Sequence, residues 1–600
     1  MNDAVPSAGL RLAQPEDDHA RADWEAAAAA VLRKAGRLTD EDPDEAVWAK
    51  LARPTLDGIA VTPLGLPAED GDHEGHEDTV RPQRLGAWDI RSLISNPDAR
   101  AANSEALADL EGGATSLWLH AEEATDLKGA LAGVMLDLAP VVLDAPTTAL
   151  AVGKTFLDVA AGAPLHPATN LGADPLGAML RGLAIAPDEG EDELQQLAAL
   201  AQRAGVRAVV VDGTAAHDLG ASDAQELGWS IAVGVAYLRM LTDHGFSVDE
   251  AAGLVEFRYA ATDEQFPTIA KLRAARRLWA SVLEHSGGSG PMRIHAVTSR
   301  PMLSKYDPYV NMLRGTVAAF AAGVGGADAV TVLPFDAANG RPADFGRRIA
   351  RNVSHLLIDE SHVAEVSDPA GGSYAVEQLT AALAVQGWEQ FQSIEAEWER
   401  GEGFDGFRAR IEAVVAAREK QIAQRKRPIT GLSEFPNLAE TLPEREPDPL
   451  ADAVRRYGAS FEALRDAPVE AKVFLATLGP VAQHTARATF ATNLFAAGGI
   501  GVHVAGATAT PDDLVAAYRA ADSGGVVCLA GSDAAYAQWG QAAAAALRAA
   551  GARHVIVAGQ PDALGDGRSA DDSCAMGVDA LAFLTDTRRV LGAESEEVQP

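Results

Sequence analysis

Two histidines stand out first as groups that could move a proton or bind a metal. His217 precedes Asp218 in GTAAHDL, just after the apolar run 207–213, where an imidazole and a carboxylate could form an acid–base pair. Lying beside a helix start at Ser222, the same two residues read instead as a surface or capping pair, and that reading is preferred. His484 lies in LGPVAQHTA (478–486), but the residue two before it is Ala482, so no carboxylate is placed to orient the ring. Arg293 and His295 alternate along MRIHAV, and Arg293 is equally suited to a phosphate or to a structural ion pair. GKT at 153–155 is not a phosphate loop, because the glycine required five residues earlier is Thr148. His73 and His76 in DGDHEGHED read as a solvated acidic loop, since no further ligands follow at metal-site spacing. The loop 334–341, PFDAANGR, leaves a strand-like run where α/β enzymes keep their chemistry, yet it contains no acid–base pair.

The elements that must position these residues belong to a long, acidic, soluble-type chain. With 600 residues it is too long for one core, and two to four domains are expected. A formal charge of −35 argues against nucleic acid or an anionic membrane as a partner. Only two cysteines occur, Cys528 and Cys574, and Cys528 sits in the apolar run GGVVCLAG as a buried small side chain. That count suits a reducing cytosol, and the N-terminus shows no signal-peptide pattern, so a cytoplasmic protein is expected.

Residues 23–35 and 44–52 read as short helices, followed by a strand-like stretch, PTLDGIAVTPLG. Strand-like runs then recur at 116–120, 141–145, 156–160, 207–213, 254–260, 292–297 and 329–334, with helical patterns such as 192–204 and 263–284 between them. This alternation predicts a parallel (β/α)8 TIM-type barrel, with one weak strand unplaced within 170–185. In 327–380 a helix of about five turns is predicted after the strand, with Phe345, Ile349, Val353, Leu356 and Leu357 as its apolar stripe. Helices rich in Glu and Arg continue over 385–425, and a Pro- and charge-rich linker runs to about 468. Five further runs, at 472–479, 501–506, 526–531, 554–559 and 579–584, predict a flavodoxin-like doubly wound sheet, with a helix over 538–550. The expected domains are therefore an arm (1–85), a barrel (86–400), a linker (401–468) and a C-terminal α/β domain (469–600).

DFGRRIARN (344–352), DPAGGSYAVEQLT (368–380) and KLRAARRLWA (271–280) resemble the barrel domain of the adenosylcobalamin-dependent methylmalonyl-CoA mutase family. The resemblance extends over most of residues 24–590 and implies that the C-terminal domain is built like that family's cobalamin-binding domain. Such domains carry Asp-x-His-x-x-Gly after their first strand, with the His coordinating cobalt. Registered on Leu478–Gly479, this chain has Val481, Gln483 and Ala486 at those positions, and His484 is one residue out of place. AGSDAAY (530–536) stands where the family has a Ser-x-Leu element for the nucleotide tail, and Ala558–Gly559 where it has Gly-Gly.

The barrel departs in the same direction. The resemblance implies a catalytic Tyr where WDIRSL has Leu93, a His donor where Gly213 is followed by Thr214 and Ala215, and an Asn where Leu333 stands. Ala208, Val210 and Asp212 occupy positions that the family fills with Ser, which implies a plugged or narrowed axis instead of one lined for a pantetheine arm.

The resemblance thus implies the small subunit of a heterodimeric methylmalonyl-CoA mutase, an isomerase of propionate metabolism active as a complex. In it a homologous large subunit would bind adenosylcobalamin and acyl-CoA, and this chain would have no catalytic, cofactor-binding or metal residues of its own. Two rival expectations are an active acyl-CoA mutase using His484 on cobalt and His217 as proton donor, and a non-enzymatic partner for assembly or cofactor loading.

Overall fold

The computed structural model describes residues 19–67, 84–185, 187–451, 453–521, 523–565 and 569–592. His73 and His76 lie outside these residues. The arm begins with the helix Arg21–Lys34, which packs Ala29 and Leu32 against Leu38 and Val47 in a small core of its own. A two-stranded antiparallel hairpin, β1 (Arg53–Pro54) and β2 (Ala60–Val61), follows.

Eight parallel strands then close a barrel: β3 (Asp89–Ile94), β4 (Ser116–His120), β5 (Val141–Asp144), β6 (Asn170–Ala173), β7 (Arg207–Asp212), β8 (Val255–Ala261), β9 (Ile294–Thr298) and β10 (Ala329–Thr331). Two predicted strands need correction. Residues 156–160 are not a strand: they end the helix Ala149–Val159, whose Leu150, Gly153 and Phe156 are buried at three-residue steps. The first strand is Asp89–Ile94, whose polar Asp89, Arg91 and Ser92 hid its period because Arg91 points into the barrel. The weak strand is β6, only four residues long. Gly172 there has φ +78° and lies against the Leu143 carbonyl, and the Asn170 side chain donates to the Val209 carbonyl at 2.9 Å. A four-residue strand that includes Asn and Gly has no hydrophobic period to detect.

The helix after β10 runs over Asp344–His355 and continues as a π-helical turn, Leu356–Glu360. Val353 and Leu357 are buried, whereas Phe345 and Leu356 are exposed, so the predicted stripe is only partly a core face. The helices Asp223–Asp243, Tyr374–Glu399 and Asp405–Ala423 meet at Trp229, which stacks on Phe407 at 5.5 Å and meets Trp398 and Phe404 edge-on.

The C-terminal sheet contains β11 (Val469–Thr477), β12 (Ile500–Val504), β13 (Val526–Ala530), β14 (His554–Ala558) and β15 (Asp572–Cys574), all parallel in the order β12-β11-β13-β14-β15. This is the flavodoxin-like order. The predicted strand 579–584 is instead the start of the helix Ala580–Val590: Asp579 caps it through the Ala582 N–H, and Ala580, Phe583, Leu584 and Thr587 form its buried stripe. A short apolar run does not by itself distinguish helix from strand. Cys528 and Cys574 are free and buried.

The barrel and the sheet share a core. Tyr306, Ile422 and Leu432 pack with Phe461, Leu494 and Phe583, and the Arg465 guanidinium lies 3.8 Å over the Tyr306 ring. The linker crosses the C-terminal mouth of the barrel and is pinned on both sides. Its Glu446 carbonyl accepts from the Arg341 N–H at 2.8 Å, and Arg445 pairs with Asp336 at 3.2 Å; the Arg455 and Tyr457 N–H groups donate to Asp218 and Pro301 carbonyls, each at 2.8 Å.

The hairpin of the arm docks on the barrel through one carboxylate. Asp57 accepts from the Ser222 hydroxyl and from the Ala224 N–H, at the N-terminus of the helix Asp223–Asp243. Burial, and after it the Asp223 carboxylate, push the Asp57 carboxyl up to about 6. Its folded value exceeds that of the unfolded chain, so the folded state gains stability as pH falls through that range and loses it as pH rises.

Two outcomes follow from this packing. Trp229→Ala should destabilise the barrel by about 3–5 kcal/mol in urea unfolding, and a negligible loss would contradict the aromatic junction. In wild type the hairpin should exchange its amide hydrogens more slowly at pH 5 than at pH 8, after correction for intrinsic rates; Asp57→Asn should flatten that difference.

Candidate functional site

Strand register decides which side chains enter the barrel. Arg91 is paired with Ser116, Trp118 with Val142, Val210 with Glu256, Asp212 with Arg258, and Arg258 with His295. Successive strand residues point to opposite faces, so these side chains converge on the axis. Nearest the N-terminal end, Arg91 bonds Glu256 at 2.5 Å and Asp89 at 3.2 Å. Above them the Arg258 guanidinium lies 4.0 Å over the Trp118 ring and bonds Asp212 at 2.9 Å and the His295 ring at 3.3 Å. His295 bonds the Thr331 hydroxyl at 2.8 Å through its other nitrogen. Arg91, Trp118, Val210, Glu256, Arg258 and His295 are all buried, and the axis is filled by this stack.

The charges are balanced within the stack. Burial would raise the Asp212 carboxyl, but Arg258 and Arg181 outweigh it and hold Asp212 below the usual carboxylate range. Burial and the neighbouring Arg91 and Arg258 cations keep His295 neutral. Sequence reasoning missed Arg91, Trp118, Glu256 and Arg258. The available signal was Glu256 and Arg258 at a two-residue step within LVEFRYA, a pattern that puts two charges on the same face of a barrel strand.

The mouth of the barrel gathers the positions singled out in the sequence. Leu93 and Leu333 line a small hollow with Arg300 and the linker residue Val454. Thr214 donates its N–H and hydroxyl to Asp212, at 2.9 and 2.6 Å, and Ala215 backs a larger cleft beside it.

His217 and Asp218 are not a surface pair. Both are buried and face different partners: His217 bonds Ser299 at 2.7 Å, whereas Asp218 pairs with Arg300 at 3.3 Å. Burial and the Lys271, Arg418 and Arg300 cations depress the His217 pKa. The helix Asp223–Asp243 does begin at the Ser222 cap. Arg293 lies before β9 at the opposite end of the barrel, 4.0 Å from Asp328, which makes it an ion-pair partner there. Gly153 lies in a helix, where an added Cβ would stand 2.6 Å from Leu197; it serves packing against the helix Pro187–Ala204.

In the C-terminal domain the helix Val481–Ala497 begins directly after Pro480, so residues 478–486 form no extended loop above the sheet. Val481 is 62% exposed, and Gln483 turns back toward Gly479. His484 is buried, its Nδ1 3.1 Å from the Gly479 carbonyl, so that nitrogen is engaged with the backbone. Across the sheet edge Tyr536 is buried, with its hydroxyl 2.9 Å from the Leu529 carbonyl and 2.8 Å from that of Ala558. Arg487 covers the Tyr536 ring at 4.8 Å and donates to the Gly531 carbonyl at 2.6 Å. Residues 530–536 and Gly559 are thus packed together at the end of β13 and β14. No group of His, Cys, Asp and Glu suited to a metal ion is found among the described residues.

Comparison with known proteins matches residues 119–521 to the family model described as methylmalonyl-CoA mutase. The chain is 44% identical to the methylmalonyl-CoA mutase small subunit of Streptomyces virginiae, over 98% of this chain and 99% of that protein. It is 41% identical to the probable methylmalonyl-CoA mutase small subunit of Mycobacterium tuberculosis (strain ATCC 25618 / H37Rv), covering 92% and 94% of the two chains. With the small subunit of Propionibacterium freudenreichii subsp. shermanii the identity is 35%, over 95% and 94%. The filled barrel and the flavodoxin-like sheet therefore belong to a member of the methylmalonyl-CoA mutase family.

Proposed function

We propose that this chain is the small, non-catalytic subunit of an adenosylcobalamin-dependent methylmalonyl-CoA mutase. In that reading a homologous large subunit binds the cobalamin and the acyl-CoA, and interconverts (R)-methylmalonyl-CoA and succinyl-CoA. The observation that carries it is the Arg258–Asp212 pair stacked on Trp118 across the barrel axis. A pantetheine arm needs an open axis, and opening this one would leave buried charges unpaired, at a cost of about 3–5 kcal/mol for each broken pair.

The residues of the C-terminal domain do not fit a cobalamin. A cobalt ligand must present a free nitrogen above the sheet and be oriented from behind. The side chain in register is Gln483, folded toward Gly479, and His484 is buried against the same glycine's carbonyl. Tyr536 and Arg487 fill the place assigned to the nucleotide tail. The relocated-site alternative asks His484 and His217 to serve cobalt and substrate, but both rings are buried, His484 has no carboxylate behind it, and His217 is bonded to Ser299.

Co-expression with the homologous large subunit should yield a one-to-one complex by size exclusion with mass measurement, carrying one cobalamin per pair. The isolated chain should leave the cobalamin absorption spectrum unchanged on titration. Stoichiometric corrin binding by this chain alone, or full activity of the large subunit without it, would overturn the proposal. Within the complex, His484→Ala should leave both the cobalamin stoichiometry and kcat unchanged, which separates this reading from the relocated-site one.

A further inference from the structure

One short turn carries both the arm and the linker. Residues 218–224 lead from the helix Thr214–Asp218 into the helix Asp223–Asp243, and three segments distant in sequence bond to them. At one end the Ser222 hydroxyl and the Ala224 N–H donate to Asp57, which lies in the turn of the arm hairpin. In the middle the Gly220 and Ala221 carbonyls accept from the Arg418 guanidinium at 2.8 and 3.2 Å. At the other end the Asp218 carbonyl accepts from the linker's Arg455 N–H at 2.8 Å. Arg418 is buried and lies 4.7 Å from the Tyr457 ring, so a second linker residue rests on the same turn through it.

The turn is tight. Gly220 stands at φ +105°, where an added Cβ would lie 2.4 Å from Val415 and 3.8 Å from Arg455. Ser222 has a double duty: its hydroxyl donates to Asp57 and accepts from the Gln225 N–H at 3.3 Å, which caps the helix. The hairpin, by contrast, is lightly held. Its strand residues Arg53, Pro54, Ala60 and Val61 are all exposed, which leaves Asp57 and the partly buried Ile59 as its seat. The helix Arg21–Lys34 ahead of it has a core of its own, so the arm can swing without opening the barrel's. The linker's other side hangs on Asp336 and Arg341, which take no part in this turn.

We infer that the arm hairpin is a latch on the linker. With Asp57 seated, the turn is fixed and holds Arg455 and Tyr457 at the barrel mouth. Withdrawal of the hairpin leaves the Ser222 hydroxyl and the Ala224 N–H to water, and the turn and the linker residues hung from it open at lower cost. Arg445 and Glu446 keep the other side in place, so the linker loosens on one side only. Coupling of this kind is reciprocal: whatever loosens Tyr457 must also loosen the hairpin. All the contacts lie within one chain, so the inference stands whether or not the subunit assignment holds.

The test is amide hydrogen exchange on the full chain, read by mass spectrometry at pH 5, where the wild-type hairpin is seated. Asp57→Ala should speed exchange at Thr55 and Ile59, and with them at Arg455 and Tyr457, each at least about tenfold, a factor worth about 1.4 kcal/mol. The Arg341 N–H, which donates to the linker's other side, should change less than about twofold. Tyr457→Ala, which strips the ring from Arg418, should in turn speed Thr55 and Ile59. Asp57→Lys, which sets a cation near Lys271, serves should Asp57→Ala leave the hairpin seated. A released hairpin with Arg455 and Tyr457 unmoved, equal acceleration at Arg341, a hairpin indifferent to Tyr457→Ala, or one still seated in both Asp57 variants would each overturn the inference.

Discussion

A guanidinium sealed inside a barrel has to be neutralised by something, and that requirement at Arg258 organises the centre of this molecule. Arg258 is almost wholly buried, so an unpaired charge there would cost several kcal/mol. Asp212 supplies the countercharge at 2.9 Å, His295 accepts from its Nε, and Trp118 presents a ring face at 4.0 Å. Each of these is constrained in turn. Asp212 is shared with Arg181 at 2.7 Å and fixed by Thr214, and His295 is tied to Thr331. Side chains from β4, β7, β8, β9 and β10 are thereby locked to one another across the axis. Such a plug is rigid, because moving any member leaves another charge unpaired in a low-dielectric interior.

The same physics explains why the chain is recognisable as a family member. The three segments that match the family most specifically are clamps between elements. Lys271 bonds Glu226 at 2.6 Å and Asp223 at 2.8 Å; Arg273 is held by Asp368 and by Glu377 at 2.5 Å; Arg276 donates to the Gly325 and Gly326 carbonyls. Arg347 and Arg351, from DFGRRIARN, both reach Asp109. Lys271 keeps its charge in the interior only because two carboxylates surround it, and they raise its pKa against the desolvation that would lower it. What the motifs encode is therefore the assembly of the barrel. Chemistry resides in other side chains, on the same scaffold.

That division sets what could be read from the sequence. Where one face of an element is apolar, alternation and helical period placed it correctly: β4, β5, β8 and β13 lie close to their predicted runs. Errors fell where that premise fails. FLDVA and DALAFL are apolar throughout a short window, and only tertiary packing decides that they are helical. β3 and β6 carry Asp, Arg, Asn or Gly inside the barrel, so their inward faces do not look like a core. His217 and Asp218 read as a surface or capping pair because a helix start at Ser222 follows them; Ser299 and Arg300, distant in sequence, are what bury them. That Leu93 and Gln483 stand where the resemblance implies a Tyr and a His is visible in the sequence without any partner. Buried pairs were not, because each half is ordinary until the fold brings the other to it.

The filling of this barrel is selective in depth. Large and charged side chains occupy the axis up to Asp212, while above it the strand ends offer Ala215, Leu93 and Leu333. Uncharged residues at a rim do not create a void unless something keeps neighbouring chain from collapsing into it. Here the linker does so, pinned by Arg445 and Glu446 on one side and by Arg455 and Tyr457 on the other, with Pro447 and Pro449 stiffening the span between. Proline fixes φ and donates no N–H, so the span is not drawn into hydrogen bonds with the strand ends below. The hollow is thus a product of two constraints, an axis that cannot empty and a cover that cannot fall in. Whatever enters this mouth stays at the mouth.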